Sequence, residues 1–170
     1  MELLPRIDDE LDTRNPLVMT LEHVLTPEAC ERLIDRIEAL GPSAAPITTT
    51  RGPMMRPDIR NNDRVMFDDA ELAAHLVDAV RGQVPERLEH EWVLCGANER
   101  LRCYRYRPGQ RFAPHFDGAF HRSAEERSLL TFLVYLNGCS AGGSTRLLDL
   151  ELEVHPKPGL GLVFNHHLLH

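Results

Sequence analysis

Apolar and polar residues alternate along this chain with two different periods, and the periods predict its secondary structure. Residues 17–24, 101–106, 128–136 and 159–170 are runs rich in apolar, β-branched or aromatic side chains, bounded by turn residues. This pattern is typical of β-strands. Residues 141–145 contain Gly-Gly and predict a turn into one more strand. The strands dominate the second half of the chain.

Two segments instead carry apolar residues at helical spacing. The first begins at Thr26, which predicts an N-cap, followed by a proline at the first helical position. Gly41 and Pro42 end it. The second begins near Asp69 and ends near Gly82. Their apolar stripes are Cys30, Leu33, Ile34, Ile37 and Leu40 in the first, and Leu72, Leu76, Val77 and Val80 in the second. Such stripes indicate packing against a core.

Residues 47–64, between the two helices, have no clean period and predict a long loop. Long loops without secondary structure are often functional lids. The segment contains four arginines and two aspartates, so the alternative is a solvated loop with local salt bridges. These charged residues are Arg51, Arg56, Arg60, Arg64, Asp58 and Asp63.

The composition fits one domain spanning residues 1–170, with helical support and a lid loop in 1–90 and a β core in 91–170. The 170 residues are 42% hydrophobic and 26% charged, which is typical of a globular domain. No membrane span or signal peptide is evident, so we expect a cytoplasmic protein with no membrane partner. A net charge of −7 disfavours nucleic acid as a partner. The cysteines Cys30, Cys95, Cys103 and Cys139 are expected to be reduced and mostly buried.

The most informative chemistry is the pair His115 and Asp117, two residues apart in an extended run. Alternate residues of a strand point to the same side, so both side chains can converge on one metal ion while Phe116 points away. A second histidine would complete the triad that usually binds non-heme iron(II). The pair alone is weak evidence, since short motifs recur by chance.

Further motifs accompany this pair. They are Tyr106-x8-His115-x-Asp117, Thr131-x3-Tyr135, Gly142-Gly143-x-Thr145, Lys157-Pro158-Gly159 and the run 164–170. Together they resemble the iron(II) and 2-oxoglutarate-dependent dioxygenases, specifically the bacterial members of the prolyl 4-hydroxylase-like branch. The resemblance covers residues 60–170. It implies a double-stranded β-helix core, a jelly roll of the cupin-like kind.

The resemblance also implies roles for individual residues. His115, Asp117 and His170 would bind Fe(II) as the catalytic metal ligands, and Tyr106 and Thr131 would contact the cosubstrate 2-oxoglutarate. Arg60 and Asn62 correspond to an Arg-x-Ser element that touches substrate in prolyl hydroxylases, with Asn in place of Ser. O2 is the co-reactant, and ascorbate is a candidate reductant.

Two questions about the site stay open at this stage. His166 and His167 lie close to His170, and residue chemistry alone does not decide which of the three binds metal; the resemblance favours His170. Family members usually continue past this histidine for one strand, whose Lys or Arg pairs with the far carboxylate of 2-oxoglutarate. We expect that this strand has been trimmed from the sequence, and Arg102 is the alternative cation. The remaining histidines, His23, His75, His90, His121 and His155, are expected not to be ligands.

The function implied is hydroxylation of an unactivated C–H bond in a small molecule, amino acid or prolyl or peptidyl substrate, with release of succinate and CO2. Asp117 favours hydroxylation over halogenation, because related halogenases have a small residue there. Three alternatives remain: a catalytically inactive cupin-like metal-binding or sensor protein, a zinc hydrolase, and an AlkB-like nucleic-acid repair enzyme acting through the arginine-rich loop. The sequence does not define the oligomeric state.

Overall fold

The computed structural model describes residues 17–49, 51–88 and 92–170, and within them the chain is mainly β with two helices. The helices are α1 (Pro27–Ala39) and α2 (Ala70–Val80). The strands are β1 (Val18–Leu21), β2 (Ser43–Ala44), β3 (Ile47–Thr49), β4 (Gly52–Met54), β5 (Asp63–Asp68), β6 (Arg87–Leu88), β7 (Trp92–Val93), β8 (Arg100–Arg105), β9 (Leu130–Val134), β10 (Thr145–Leu147), β11 (Leu152–Val154) and β12 (Gly161–Asn165). A 3₁₀ turn at Leu148–Leu150 joins β10 to β11.

Both helices begin where their capping residues predict. The Thr26 hydroxyl accepts a hydrogen bond from the Ala29 amide, and the Asp69 carboxylate accepts one from the Leu72 amide. These bonds satisfy amide groups that have no partner inside the helix. Arg36 of α1 reaches the N-cap Asp69 of α2, with Nη1 2.6 Å from Oδ2, so the two helices are joined at this point.

Two antiparallel three-stranded sheets are the largest sheets in the described residues. One has the order β1-β12-β9, and the other has the order β2-β5-β8. Three strand pairs, β3-β4, β6-β7 and β10-β11, complete the described sheets. In the first sheet Phe164 of β12 pairs with Val18 on one side and with Thr131 on the other.

The central strand β12 is buried on both of its faces, which explains its unbroken apolar sequence. Val163 packs into a cluster with the helix α1 residue Cys30 and with β1. Leu162 and Phe164 point the other way, into a second cluster that contains Leu168. The strand therefore separates the helical support layer from the layer that carries the distal histidine.

The structure corrects three expectations. Residues 47–64 are not a structureless loop, because they contain the β3-β4 hairpin and the first residues of β5. Residues 106–117 form no regular strand, although backbone amides of this segment donate hydrogen bonds to carbonyls of other segments. The four cysteines are free thiols as predicted, but Cys95 and Cys139 are exposed rather than buried.

Neither of the two helices in the described residues is long and apolar enough to cross a bilayer.

Candidate metal centre

Three of the predicted residues come together at one point of the fold. One ligand atom from each of His115, Asp117 and His170 lies within 4.8 Å of the others, the only such group of His, Cys, Asp or Glu side chains in the described residues. His115 Nε2 is 3.8 Å from Asp117 Oδ1, and His170 Nε2 is 3.6 Å from Asp117 Oδ2. His170 is 9% exposed while Asp117 is 32% exposed, so the group is open on one side.

Backbone hydrogen bonds hold the two histidines beside each other. The His115 amide donates to the His170 carbonyl at 2.9 Å, and the His170 amide donates to the His115 carbonyl at 3.1 Å. This reciprocal pairing is that of two directly opposed residues in an antiparallel ladder, whose side chains lie on the same side. The Asp117 amide also donates to this chain segment, at 3.0 Å from the His166 carbonyl oxygen. The two-residue spacing then places Asp117 beside His115, while Phe116 is exposed.

Both imidazoles are held in the form that suits a metal ligand. Nδ1 of His115 lies 3.1 Å from the Ala113 carbonyl oxygen, and Nδ1 of His170 lies 2.9 Å from that of Leu168. A carbonyl oxygen only accepts, so each Nδ1 carries a proton, and Nε2 is the ring nitrogen left to bind a metal. Such fixing of the tautomer by the second ring nitrogen is typical of metal-binding histidines.

The electrostatics of the site favour a neutral imidazole at His115. Burial lowers the pKa of His115, and the neighbouring His170 lowers it further, against the opposing effects of the Ala113 carbonyl and Asp117. A neutral ring is the form that binds metal. Burial likewise lowers the pKa of His166. His166 is buried, but it does not join the group of three, and neither does His167.

Asp117 is oriented by Thr131 of β9. The Thr131 hydroxyl donates to Asp117 Oδ2 at 2.6 Å. A threonine hydroxyl has one hydrogen to donate. In this arrangement that hydrogen is used on Asp117, so it is not free for a carboxylate of 2-oxoglutarate. The cosubstrate contact of Thr131 stays a prediction.

Tyr106 lies just beyond β8, near the charged end of Arg60. Burial raises the pKa of the Tyr106 phenol, and the Arg60 charge lowers it in part, although 47% of the residue surface is exposed. The phenol is therefore protonated at neutral pH and can donate a hydrogen bond. The alternative cation Arg102 is exposed on β8, opposite Met66.

Arg60 and Asn62 lie deeper than a surface lid would place them. Arg60 is 5% exposed and Asn62 is fully buried. Arg60 Nε donates to Asn62 Oδ1 at 2.8 Å, and Asn62 Nδ2 donates to the Asp63 carbonyl. Their predicted contact with substrate stays a prediction. The Asn62 carboxamide already forms hydrogen bonds with Arg60 and with the Asp63 carbonyl.

Two aromatic residues pack against the imidazoles, and of these Phe112 was not singled out from the sequence, whereas Phe164 begins the 164–170 run. Phe112 stacks on His115, with 3.6 Å between ring centroids, and the edge of Phe164 meets His170 at 4.7 Å. The other histidines behave as expected, because His23, His75, His121 and His155 are exposed and outside the group. His90 lies outside the described residues.

The three side chains fit an iron(II) ion by their donors. Two imidazole nitrogens and one carboxylate oxygen on one side of a metal leave the other positions open for further ligands. Separations of 3.6 and 3.8 Å need only slight closure, since cis ligands with bonds of about 2.1 Å lie about 3 Å apart. The fold and the site define a mainly β protein with a His-Asp-His group whose donors match those of mononuclear iron sites.

Residues 101–170 match the family model described as the 2OG-Fe(II) oxygenase superfamily. Over these residues the chain is similar to oxygenases that use Fe(II) as metal and 2-oxoglutarate as cosubstrate. The matched segment contains Tyr106, Thr131 and all three members of the metal group.

Two solved structures are similar over most of the chain. A viral collagen prolyl hydroxylase from Paramecium bursaria Chlorella virus-1, in complex with 2OG, is 22% identical with a TM-score of 0.59, covering 90% of this chain and 82% of that one. A prolyl-4-hydroxylase from Pseudomonas putida is 18% identical with a TM-score of 0.57, covering 96% and 86%. At these identities the likeness concerns the fold, and it confirms the predicted jelly-roll core with flanking helices.

Proposed function

We propose that the chain is an Fe(II)- and 2-oxoglutarate-dependent oxygenase in which His115, Asp117 and His170 bind the iron. It hydroxylates an unactivated C–H bond of a small-molecule or peptidyl substrate. The observation that carries the assignment of ligands is the convergence of two Nδ1-anchored imidazoles and one carboxylate. Iron(II) with 2-oxoglutarate and O2 supplies the oxidising power and yields succinate and CO2. The protein residues would bind and orient the metal, the cosubstrate and the substrate, and exclude competing reactions.

Each residue has a distinct task in this proposal. His115 and His170 present Nε2, and their Nδ1–H groups stay on backbone carbonyls. Thr131 fixes the rotation of the Asp117 carboxylate. Tyr106, kept protonated by its raised pKa, donates its phenol hydrogen to a carboxylate of the keto acid.

The class of substrate is part of this proposal. Both similar structures are prolyl hydroxylases by name, which supports a prolyl or peptidyl substrate. A free amino acid or another small molecule is the alternative substrate class. The cytoplasmic location remains a prediction.

The test measures succinate formed from 2-oxoglutarate under air with added Fe(II), together with the visible charge-transfer band of the anaerobic Fe(II)–keto acid complex. We expect both signals in the wild type. His115→Ala should lose both, because only two ligands remain.

His155→Ala is the matched control, since His155 is exposed and lies outside the group. A His115→Ala protein with unchanged iron affinity would refute the ligand assignment. Tight zinc binding without any dependence on 2-oxoglutarate would favour a hydrolase, and metal binding without succinate a sensor.

A further inference from the structure

Arg60 is a buried cation without a carboxylate partner. It is 5% exposed, and no Asp or Glu in the described residues forms an ion pair with it. Instead, its guanidinium lies between two aromatic rings, 4.4 Å from the Tyr104 centroid and 4.3 Å from the Phe112 centroid. Stacking of this kind suits arginine, whose planar and weakly hydrated group is attracted to ring faces.

The stack continues onto the first metal ligand. Phe112 lies on Arg60 with one face and on His115 with the other, at 3.6 Å and an interplanar angle of 23°. We call Tyr104, Arg60, Phe112 and His115 the Arg60 column. It places one aromatic ring between a fixed cation and the imidazole, and it limits rotation of the His115 ring away from the metal.

Backbone bonds tie the two chain segments of the column together. Arg60 and Phe112 form an antiparallel bridge. The Ala113 amide donates to the Ile59 carbonyl at 2.8 Å, and the Asn61 amide donates to the Arg111 carbonyl at 3.2 Å. The segment that carries Arg60 is therefore fixed to the segment that leads into His115.

The surroundings of Arg60 argue against direct contact with a ligand. Nη2 is buried and has no hydrogen-bond partner, so no accessible surface remains through which a substrate could reach that atom. Nε is used by Asn62. Both faces of the group are covered by rings. Most of the guanidinium is therefore enclosed by the protein, in keeping with the 5% exposure of Arg60.

We propose that Arg60 is a positioning residue: through Phe112 it sets the orientation of His115 for the metal. The proposal rests on the assignment of His115 as a ligand, and it is distinct from the substrate contact expected of Arg60. It gives a role to a buried cation with which no Asp or Glu of the described residues pairs. It also explains why Arg60 and Phe112, about fifty positions apart in the chain, are bridged at the backbone.

The experiment titrates the metal-free protein with Co(II) in the absence of substrate and cosubstrate, following visible absorption. Arg60→Met keeps side-chain bulk but removes the planar cation. We expect a folded protein with about 10-fold weaker Co(II) affinity, the size of effect typical for groups that orient a ligand, and an altered ligand-field spectrum. A substrate-contacting Arg60 would leave both quantities unchanged.

Variants of Phe112 test the column without touching the charge. Phe112→Leu should weaken Co(II) binding as Arg60→Met does, and Phe112→Tyr should retain wild-type affinity because it keeps the ring. In the double variant Arg60→Met with Phe112→Leu, the loss should be no larger than in either single variant, since both break one column.

Arg32→Met is the control, because Arg32 is an exposed arginine on α1 and lies outside the Arg60 column. Wild-type affinity and spectrum in Arg60→Met, or losses that multiply in the double variant, would overturn the proposal. If Arg60→Met does not fold, the Phe112→Leu and Phe112→Tyr pair still decides, since equal affinities in the two would overturn it. A wild type that fails to bind Co(II) would instead refute the metal site itself.

Discussion

His115 is held from three directions: by its backbone pairing with His170, by the Ala113 carbonyl at Nδ1, and by the Phe112 ring. The sequence indicated His115, Asp117 and the distal His170, because ligand spacing and order along the chain are local information. It gave no sign of Phe112 or of the burial of Arg60. Those contacts depend on how two distant segments cross, which no local period encodes.

Thr131 provides the sharpest test at this scale. Thr131→Val removes the hydroxyl that donates to Asp117 Oδ2 and leaves a side chain of similar shape. We expect about 10-fold weaker metal affinity, because the carboxylate loses its orienting bond. Thr131→Ser keeps the hydroxyl and should bind metal nearly as the wild type does. Affinity for Co(II), measured by titration, decides.

The same variant addresses the predicted cosubstrate contact. If Thr131 mainly binds 2-oxoglutarate, Thr131→Val should leave metal affinity unchanged and weaken 2-oxoglutarate binding at saturating metal. That result would contradict the orienting role.

At the scale of elements, the helices followed from the sequence more closely than the strands did. Caps such as Thr26 and Asp69 act within one turn, so α1 and α2 begin where those residues stand. The buried faces follow the predicted period with two exceptions: Leu40 is 49% exposed at the C-cap of α1, and Ala73 is an unpredicted buried residue of α2. The hairpin β3-β4 was missed, because three-residue strands are too short for a period to appear.

The capping residue Asp69 predicts a pH dependence of stability. Its bond from the Leu72 amide and its ion pair with Arg36 lower its pKa below the ordinary 3.8. A lowered carboxyl pKa adds stability above the unfolded-state pKa, and that stability is lost as the pH falls through the folded-state pKa. We expect the wild type to be more stable than Asp69→Asn at neutral pH, and the gap to close below pH 3.8.

Thermal unfolding of both proteins from neutral pH to about pH 3 provides the measurement. Asparagine is also a good N-cap, so Asp69→Asn retains the helix start and isolates the charge. A gap that stays constant across this pH range would show that the charge of Asp69 is not involved.

At the scale of the whole molecule, Gly159 connects two chain segments that are distant in sequence. Its carbonyl accepts from the Val24 amide, and its amide donates to the Tyr135 carbonyl. Its φ is +77°, and a Cβ there would lie 2.1 Å from the Leu25 carbonyl oxygen. The mainly β jelly-roll class could be predicted from strand patterns and the resemblance. A close approach of this kind could not, because it involves partners distant in sequence.

Gly159→Ala should therefore lower the free energy of unfolding by about 3 kcal/mol, because it adds a steric clash to backbone strain. Gly82→Ala is the matched control, with φ +83° but no atom within 4 Å of the added Cβ. Gly82→Ala adds backbone strain without a clash, so it should lower the free energy of unfolding by about 1 kcal/mol. Chemical denaturation measures both, and equal losses would refute the close approach as the cause.

The reciprocal hydrogen bonds between His115 and His170 have a consequence for loading and unloading of the enzyme. Both rings are attached to a backbone pair whose hydrogen bonds join main-chain atoms only. We therefore expect a chelator to remove the metal and leave this pairing intact, so that metal binding recovers on adding the ion back without a refolding step.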